Sequence, residues 1–489
     1  MPETDVKRLY LKFRTESRFY VYDAASNHVL GVSQEVWESI DRYLDTRSLN
    51  DGRCGAESSW APDRVSIEIE EGLGRGFLAE VDVKEMGFYP DPALIRTHLR
   101  RRIPHLTLEL TQACNAKCHY CPYAQDTGRS SSPQRMEWST LVNAVGEFMS
   151  HSSAAEERSV SFWGGEPLIE FPMLARTVEY LGSHYGNHRL IYQFTTNGTL
   201  LDDDVVAFLI HHDFRLLVSL DGPAEIHDRH RVDLGNCGTF DRIRRGLERI
   251  EQRDPLYYKK RVKFICVLTS GKDIAKAADF FTQDPLCGGH DVKFLPVVPP
   301  ASFVELHGRF TPEDRGLIRQ HMRTAVAAIN ESPTHPLAKA GVKNRMPIAT
   351  RPRTPIGSMI APNGCCVPLL KKMHVTTSGS IHVCERMDSD NAVGNVNTGG
   401  IDIDAATGLV QQYCDHSLGT CRTCWALRLC ATCYRHSMVA NRWSDNDREQ
   451  RCAAYRRSVK EQLEDYAAVL EANLHAFDCL KGHTIAMPI

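Results

Sequence analysis

The sequence predicts an α/β fold: a partial barrel of six βα units, with a small mixed domain before it and a cysteine-rich domain after it. Three observations carry this prediction. Between residue 106 and about residue 298, runs rich in Val, Ile, Leu and Phe alternate with amphipathic segments, the pattern of parallel βα units. Before residue 90 the chain follows a different rhythm of short strands and helical stretches. After about residue 345, Gly, Asn and Cys punctuate short strands. At 489 residues the chain is too long for one ordinary core. The expected divisions are 1–95, 100–345, 346–460 and a C-terminal helix and tail over 461–489.

In order along the chain, Tyr-Leu-Lys-Phe and Phe-Tyr-Val-Tyr between residues 9 and 30 read as strands. A helix is expected from about 33 to 44, with Val36, Ile40 and Leu44 on one face. Residues 67–81 hold a second helical hint followed by the strand-like Gly-Phe-Leu-Ala-Glu-Val. The basic stretch Arg96 to Arg102 reads as a solvated linker, or as an electrostatic guide for an acidic peptide. Barrel strands are expected at 106–110, 160–163, 190–195, 216–220, 262–268 and 292–298. Leu141, Val142, Val145, Phe148 and Met149 form the apolar face of one intervening helix. The tail from 452 to 477 is helical in pattern. In such a barrel, chemistry collects at the C-terminal ends of the strands.

The charge balance is 58 basic against 61 acidic residues, a formal net of −3. It offers no field for nucleic acid or a membrane surface, so neither is expected as a partner. No apolar run is long enough to span a bilayer, and Met-Pro-Glu-Thr-Asp does not resemble a signal peptide, so a cytoplasmic location is expected. There, seventeen cysteines are unlike a disulfide framework and more like metal ligands or redox groups.

The cysteines form two spaced groups. Cys114, Cys118 and Cys121 lie directly after the first barrel strand, where a cofactor is expected. Three thiolates so close in sequence can hold three corners of a cubane iron–sulfur cluster and leave the fourth iron open to a cosubstrate. Zinc is the alternative, but it usually takes four fixed ligands, and no fourth lies nearby in sequence.

Cys-x3-Cys-x2-Cys after a strand, with Tyr120 just before the last cysteine, resembles the radical S-adenosylmethionine superfamily. That resemblance implies a TIM-like partial barrel, with S-adenosylmethionine chelating the open iron. One electron then breaks a carbon–sulfur bond and yields a hydrogen-abstracting deoxyadenosyl radical. It also implies cosubstrate-binding roles for Gly164, Gly165 and Glu166, which end the second strand in Gly-Gly-Glu-Pro. Glycines there admit close backbone approach, and a carboxylate can pair with an ammonium. Thr195 and Asn197 after the third strand, Ser219 and Asp221 after the fourth, and Arg231 match polar positions of the same family. His227 is read as a structural helix-start residue.

The second group, Cys366, Cys384, Cys421, Cys424, Cys430, Cys433 and Cys452, resembles the seven-cysteine SPASM domain of enzymes that modify peptides and proteins. The interval between Cys430 and Cys433 is one residue shorter than usual in that family. The resemblance implies one auxiliary 4Fe–4S cluster on Cys421, Cys424, Cys430 and Cys452 and another on Cys366, Cys384 and Cys433, three clusters in all. Lys372 stands where sulfatase-maturing relatives supply a further ligand. Cys365 or Cys414 could take that place, or a substrate thiolate. Cys266 reads as core packing, and Cys237 as a loop thiol without a role.

The front domain resembles the winged-helix-like leader-binding domain of ribosomal-peptide maturases, which adds an extended leader to a sheet edge. The function this implies is installation of a thioether or carbon–carbon crosslink in a ribosomally made precursor peptide or small protein. A flavodoxin or ferredoxin would be the reductant. One alternative is a sulfatase-type maturase oxidising Cys or Ser to formylglycine. Another, of a different class, is a non-catalytic iron–sulfur peptide-binding module. Asp221 and Glu385 are candidates for the catalytic base because each adjoins a motif.

Overall fold

A computed structural model of the chain describes residues 7–50, 64–87, 92–123, 133–297, 310–362, 364, 366–387, 391–434, 438–439 and 442–481. The chain divides into two compact units. One comprises Met1–Pro90, Asn344–Cys365 and Leu409–Ile489; the other comprises Asp91–Lys343 and Cys366–Gly408.

The first unit opens with strands β1 (Lys7–Arg8), β2 (Tyr10–Arg14), β3 (Phe19–Asp23) and β4 (His28–Val32). β2, β3 and β4 form an antiparallel meander. Helix α1 (Gln34–Asn50) follows, then α2 (Arg64–Gly74), β5 (Glu80–Val81) and β6 (Glu85–Met86). Val36, Ile40 and Leu44, spaced by one helical turn, are all buried and pack with Val21, Ile69 and Leu78. The helix expected at 33–44 is therefore present and runs longer. The strand expected near 76–81 is reduced to β5, because residues 75–78 form a turn with Gly76 at φ 82°.

The second unit begins with a correction. The basic stretch read as a linker is helix α3 (Pro92–Arg101), in which Ile95 and Leu99 are buried one turn apart. Its arginines face outward; Arg96 pairs with Asp404.

The barrel follows: β7 (His105–Thr111), α4 (Trp138–Ser150), β8 (Arg158–Gly164), α5 (Phe171–Tyr185), β9 (Leu190–Thr196), α6 (Asp203–His211), β10 (Arg215–Ser219), α7 (Ala224–His227), α8 (Phe240–Arg253), α9 (Pro255–Arg261), β11 (Val262–Leu268), α10 (Ile274–Gln283) and β12 (Val292–Pro296). Strands β7 to β12 lie side by side in sequence order and every neighbouring pair is parallel. This is the predicted open barrel. β14 (Met373–Val375) extends it on the β7 side in parallel, and β15 (Ile381–His382) closes that edge antiparallel; β13 (Met359–Ile360) belongs to the other unit and pairs with β6.

Parity divides the sheet chemically. Leu106, Leu108, Leu110, Val160, Phe162, Leu216 and Val218 are buried on the helix side. The alternate positions are polar: Thr107, Ser161, Gln193 and Arg215 are register partners across four adjacent strands. A closed barrel normally fills its centre with branched apolar side chains. This one sets Thr107, Ser161, Gln193 and Arg215 beside apolar residues such as Trp163 and Leu217 and keeps a cavity of about 730 Å³.

The region after residue 345, expected to lose helical rhythm, contains helices Pro336–Ala349 and Ile403–Cys421. The C-terminal helix runs Asp445–Ala472, starting before the expected 452. In the first unit Arg428 donates to the carbonyls of Ala24, Ala25, Pro352 and Thr354, and Arg345 forms a buried ion pair with Asp465 at 3.0 Å. Among the described residues no helix is long and apolar enough to cross a membrane.

Candidate functional site: two cysteine centres and a polar barrel cavity

The first centre lies where the C-terminal ends of β7 to β10 meet. The cysteine loop leaves β7 at Thr111 and is fixed by backbone on two sides. Gly165 N–H donates to Thr111 O at 3.0 Å and Glu166 N–H to Ala113 O at 2.9 Å. On the other side Lys117 N–H donates to Val232 O at 2.7 Å and His119 N–H to His230 O at 3.0 Å. The glycines are steric requirements: a Cβ on Gly164 would stand 2.2 Å from Thr111 O, and one on Gly165 would stand 2.1 Å from Ala113 O. Cys114, Cys118 and Cys121 are half-buried.

Around these thiols the sequence-predicted polar residues interlock. Glu166 is buried and accepts from Asn197 N–H at 2.7 Å, Thr196 Oγ1 at 2.8 Å and Leu168 N–H at 3.2 Å. Burial outweighs those donors and pushes its carboxyl up to about 7. Asn197 Nδ2 donates to Asn115 Oδ1 at 2.8 Å and lies 3.9 Å from Cys114 Sγ. Asn115, which sequence reading did not single out, in turn donates to Thr199 Oγ1 at 2.8 Å.

Asp221 forms the second knot. Tyr120 donates its hydroxyl to Asp221 Oδ2, Arg231 Nε donates to the same oxygen at 2.9 Å, and Val267 N–H donates to Oδ1 at 2.8 Å. Arg231 Nη1 is 3.9 Å from Cys118 Sγ, and its guanidinium lies 5.3 Å from the Tyr120 ring centre. Burial would pull Arg231 down, but Asp221 beside it holds it well above the ordinary guanidinium value. Tyr120 packs on Val297, Val267 and Phe310.

His227 is structural, though it ends helix α7 rather than starting one. Its Nδ1 accepts from Asp221 N–H at 3.2 Å, and its Nε2 meets Thr239 Oγ1 at 3.0 Å. Burial pulls it down to about 3, which keeps it neutral. Cys266 is buried mid-strand with Sγ 3.3 Å from Asp221 O, as expected of core packing, and Cys237 is exposed in a loop. Ser219 ends β10 and Thr195 lies on the inner sheet face.

The residues fit the group that resemblance implies for them. Three soft thiols, one strand end and a backbone cradle that excludes Cβ atoms suit a cluster with one open iron. Burial pushes the free Cys114 thiol up to about 11, so binding iron there would release a proton. Among the described residues, no three His, Cys, Asp or Glu side chains are drawn together closely enough to hold a single metal ion.

The second centre belongs to the first unit. Cys421 ends the helix Ile403–Cys421, Cys424 and Cys430 sit in the turns that follow, and Cys452 projects from the C-terminal helix. All four line one cavity of about 40 Å³ together with Arg448 and Arg456. Cys424 N–H donates to Cys421 O at 3.0 Å, and Arg448 Nη2 donates to Thr420 Oγ1 at 3.0 Å. Burial pushes the Cys421 thiol up to about 12, and the neighbouring thiols Cys424, Cys430 and Cys452 push it the same way. Four convergent thiols beside two guanidinium groups suit a fully ligated, anionic cluster. Cys414 is buried on the same helix but does not line this cavity.

The remaining residues of the seven-cysteine set are less concentrated. Cys384 and Cys366 are both half-buried in the second unit; burial pushes the Cys384 thiol up, and the nearby Cys366 adds to that push. Cys433 is half-buried in the first unit, and Cys365 lies outside the described residues. Lys372 is not idle: its ammonium donates to Glu385 Oε2 at 2.5 Å. That pair lies on the wall of the barrel cavity with Trp163, Gln193 and His105. His105 Nδ1 is 2.5 Å from Ser159 Oγ, and burial pulls its imidazole down to about 4. A sequence signal for this cavity exists in the alternating Ser-Val-Ser-Phe of β8.

Comparisons with known proteins agree with this geometry. Residues 108–277 match the Radical SAM superfamily, so the chain carries a radical SAM domain. The cysteine-type anaerobic sulfatase-maturating enzyme of Clostridium perfringens (strain 13 / Type A) is 30% identical over 202 residues, 40% of this chain and 51% of that protein. The serine-type anaerobic sulfatase-maturating enzyme of Klebsiella aerogenes is 26% identical over 190 residues, 38% of this chain and 44% of that protein. The chain thus spans about half the length of the curated relatives it matches. Among solved structures, native anSMEcpe with bound AdoMet and Kp18Cys peptide superposes with a TM-score of 0.56 at 20% identity, covering 78% of this chain and 100% of that one. That likeness establishes the shared fold.

Proposed function

We propose that this chain is a radical S-adenosylmethionine peptide maturase. It abstracts hydrogen from a ribosomally made peptide or small protein and installs an intramolecular crosslink, either a thioether or a carbon–carbon bond. The observation that carries the reading is the cysteine loop at the C-terminal ends of β7 to β10, held by the Gly164-Gly165 cradle, over a polar cavity of about 730 Å³. A cavity of that size falls in the range of ligand sites.

Cys114, Cys118 and Cys121 would hold the first 4Fe–4S cluster, and Asn197, Asn115, Ser219, Thr195 and Tyr120 would face S-adenosylmethionine. The seven downstream cysteines would hold two auxiliary clusters, as the sequence resemblance implies, with Cys421, Cys424, Cys430 and Cys452 as one set. When bound, these groups supply one-electron chemistry that begins with hydrogen-atom abstraction and accepts the electron left behind. A flavodoxin or ferredoxin would deliver the initiating electron, in the cytoplasm. The division 1–95, 100–345, 346–460 and 461–489 would then correspond to leader recognition, radical chemistry, auxiliary clusters and tail.

Within the chain's own residues, the crosslink requires a base. Forming the new bond removes two hydrogens from the substrate, one as an atom and one as a proton. Glu385 is the better-placed of the two sequence candidates. Asp221 is buried and held by three donors, Tyr120, Arg231 and Val267, whereas Glu385 is held by Lys372 and stands on the cavity wall. Burial would raise its carboxyl, but Lys372 outweighs burial and holds it low, hence ionised. An ionised carboxylate with an adjacent ammonium can take up a proton and pass it on.

A second reading, oxidation of Cys or Ser to formylglycine, is favoured by the names of the curated relatives. Front-segment strands β2 to β4, with α1 and α2 packed on them, support the crosslink reading, since such a sheet offers an edge for an extended leader. Two measurements decide. The reconstituted, reduced protein is expected to cleave S-adenosylmethionine, and replacing Cys114, Cys118 and Cys121 with Ala is expected to abolish cleavage. Persistence in that variant sinks the reading, and no cleavage by the wild-type protein leaves the non-catalytic binding module. Mass spectrometry of the product separates the rest: a crosslink loses two hydrogens without a hydrazine-reactive aldehyde, while formylglycine carries one.

A further inference from the structure

Six cations line the barrel cavity: Arg215, Lys260, Arg261, Lys263, Lys371 and Lys372. Glu385 is the carboxylate among its lining residues, and His105 is kept neutral by burial. This concentration stands in a chain whose formal net charge is −3. Three of the cations are committed: Arg261 to Asp213, Lys263 to Asp291 at 2.9 Å, and Lys372 to Glu385. Arg215, Lys260 and Lys371 are exposed and form no salt bridge among the described residues.

Their placement is systematic. Arg215 is the first residue of β10, Lys260 lies in the last turn of α9 just before β11, and Lys371 stands two residues before β14. Since the barrel strands and β14 run parallel, all three mark the N-terminal edge of the sheet, opposite the edge that carries the cysteine loop. Arg215 is register partner to Gln193, four residues before Asn197 on the same strand path. At about 3.3 Å per residue the two edges are ~13 Å apart, the reach of about four residues of extended peptide.

We infer that this N-terminal mouth binds carboxylates of the peptide substrate, anchoring an acidic position about four residues from the one modified at the cysteine-loop edge. The inference rests on the maturase reading and names its substrate class. Acidic side chains and a C-terminal carboxylate share the required chemistry. A charge-lined cleft with low-dielectric walls focuses its field on such groups. Nucleic acid is disfavoured by the formal net charge of −3.

The test uses the full-length reconstituted protein and fluorescein-labelled peptides of Ser and Ala, roughly ten residues long. They carry three Glu or three Gln, each with a free or amidated C-terminus; a thymidine oligonucleotide of the same length is the counter-probe. The Glu peptides are expected to bind at least ~10-fold tighter than their Gln counterparts, with the difference fading at high salt. The triple variant Arg215→Gln, Lys260→Gln, Lys371→Gln is expected to lose that difference, while Arg253→Gln, exposed and remote from the cavity lining, keeps it. Tighter binding of Glu than Gln peptides in both terminal forms assigns side-chain carboxylates; equal binding of Glu and Gln peptides, with the free-terminus forms tighter than the amidated ones, assigns the terminal one. Equal binding of all four peptides, an unaffected triple variant, or tighter binding of the oligonucleotide would overturn the inference. S-adenosylmethionine cleavage by the wild-type protein, measured without peptide, reports on the maturase reading separately.

Discussion

The two cysteine centres solve the same packing problem in opposite ways. The first has three thiols on one short loop, with the polar or charged Asn197, Asn115 and Arg231 among its neighbours beside the apolar Tyr120–Val297 cluster. The second has four thiols, two of them contributed by helices, around a cavity of about 40 Å³ lined also by two guanidinium groups, apolar side chains and the hydroxyls of Ser417, Thr420 and Thr432. A short donor set surrounded by hydrogen-bonding groups suits a cluster that must admit a cosubstrate. A complete donor set in a small cavity suits electron storage. Separating these roles is the largest expected effect. Replacing Cys421 and Cys424 with Ala should remove about four iron atoms per chain while S-adenosylmethionine cleavage persists. Iron analysis alongside deoxyadenosine quantification checks this. Loss of cleavage in that variant would break the contrast between an open and a closed centre.

The first centre was more legible in the sequence than its surroundings. Cysteine spacing and the turn Gly164-Gly165-Glu166 lie on loops, where local chemistry dictates local geometry. Strand positions were legible too, since β11 spans the expected residues 262–268. What escaped was amphipathicity masked by charge or by helix breakers. Arginines at 96 and 100–102 hid the stripe of Ile95 and Leu99 in α3. Gly341 and Pro347 disguised the helix Pro336–Ala349. In Ile403–Cys421 the buried set Ala406, Val410, Tyr413 and Ser417 follows helical spacing, but cysteine punctuation drew attention elsewhere. The polar inner face escaped for a different reason. A strand that alternates apolar and polar normally shows its polar side to solvent. Only the assembly of β7 to β11 side by side turns that side into a cavity lining.

Beside the first centre, the Asp221–Arg231 pair offers a sharper comparison with the second centre's Arg448. Asp221 and Arg231 side chains are 3% and 10% exposed, whereas the Asp445 partner of Arg448 is 79% exposed. Removing one member of a buried pair leaves the other charge uncompensated, at a cost of about 3–5 kcal/mol. Removing an exposed partner costs about 0–1 kcal/mol. Asp221→Asn should therefore lower unfolding free energy several-fold more than Asp445→Asn does in denaturant titrations. It should also loosen the hydrogen bond that holds Tyr120 beside Cys121. Equal effects from the two substitutions would show that solvent reaches Asp221 in solution.

Glu166 gives the smallest effect and the one with the most diagnostic sign. Its carboxyl is pushed by burial from the ordinary value of 4.5 up to about 7. Between those values the folded chain binds a proton that the unfolded chain has released. Its contribution to stability is thus present below pH ~4.5 and is lost as pH rises through about 7. A shift of that size corresponds to roughly 3 kcal/mol as an upper figure. Glu166→Gln removes the titration, so wild-type stability relative to the variant should fall as pH rises across this window. His227, pulled down to about 3 by burial, acts with the opposite sign: its contribution is complete above pH ~6.5 and is lost on acidification. The two partly cancel in the wild-type protein, which makes the difference between wild type and Glu166→Gln the informative quantity. Denaturant midpoints measured from pH 5 to 8 read it directly. A difference that stays flat would mean that Glu166 is already ionised at pH 5, held so by the Asn197, Thr196 and Leu168 donors against its burial.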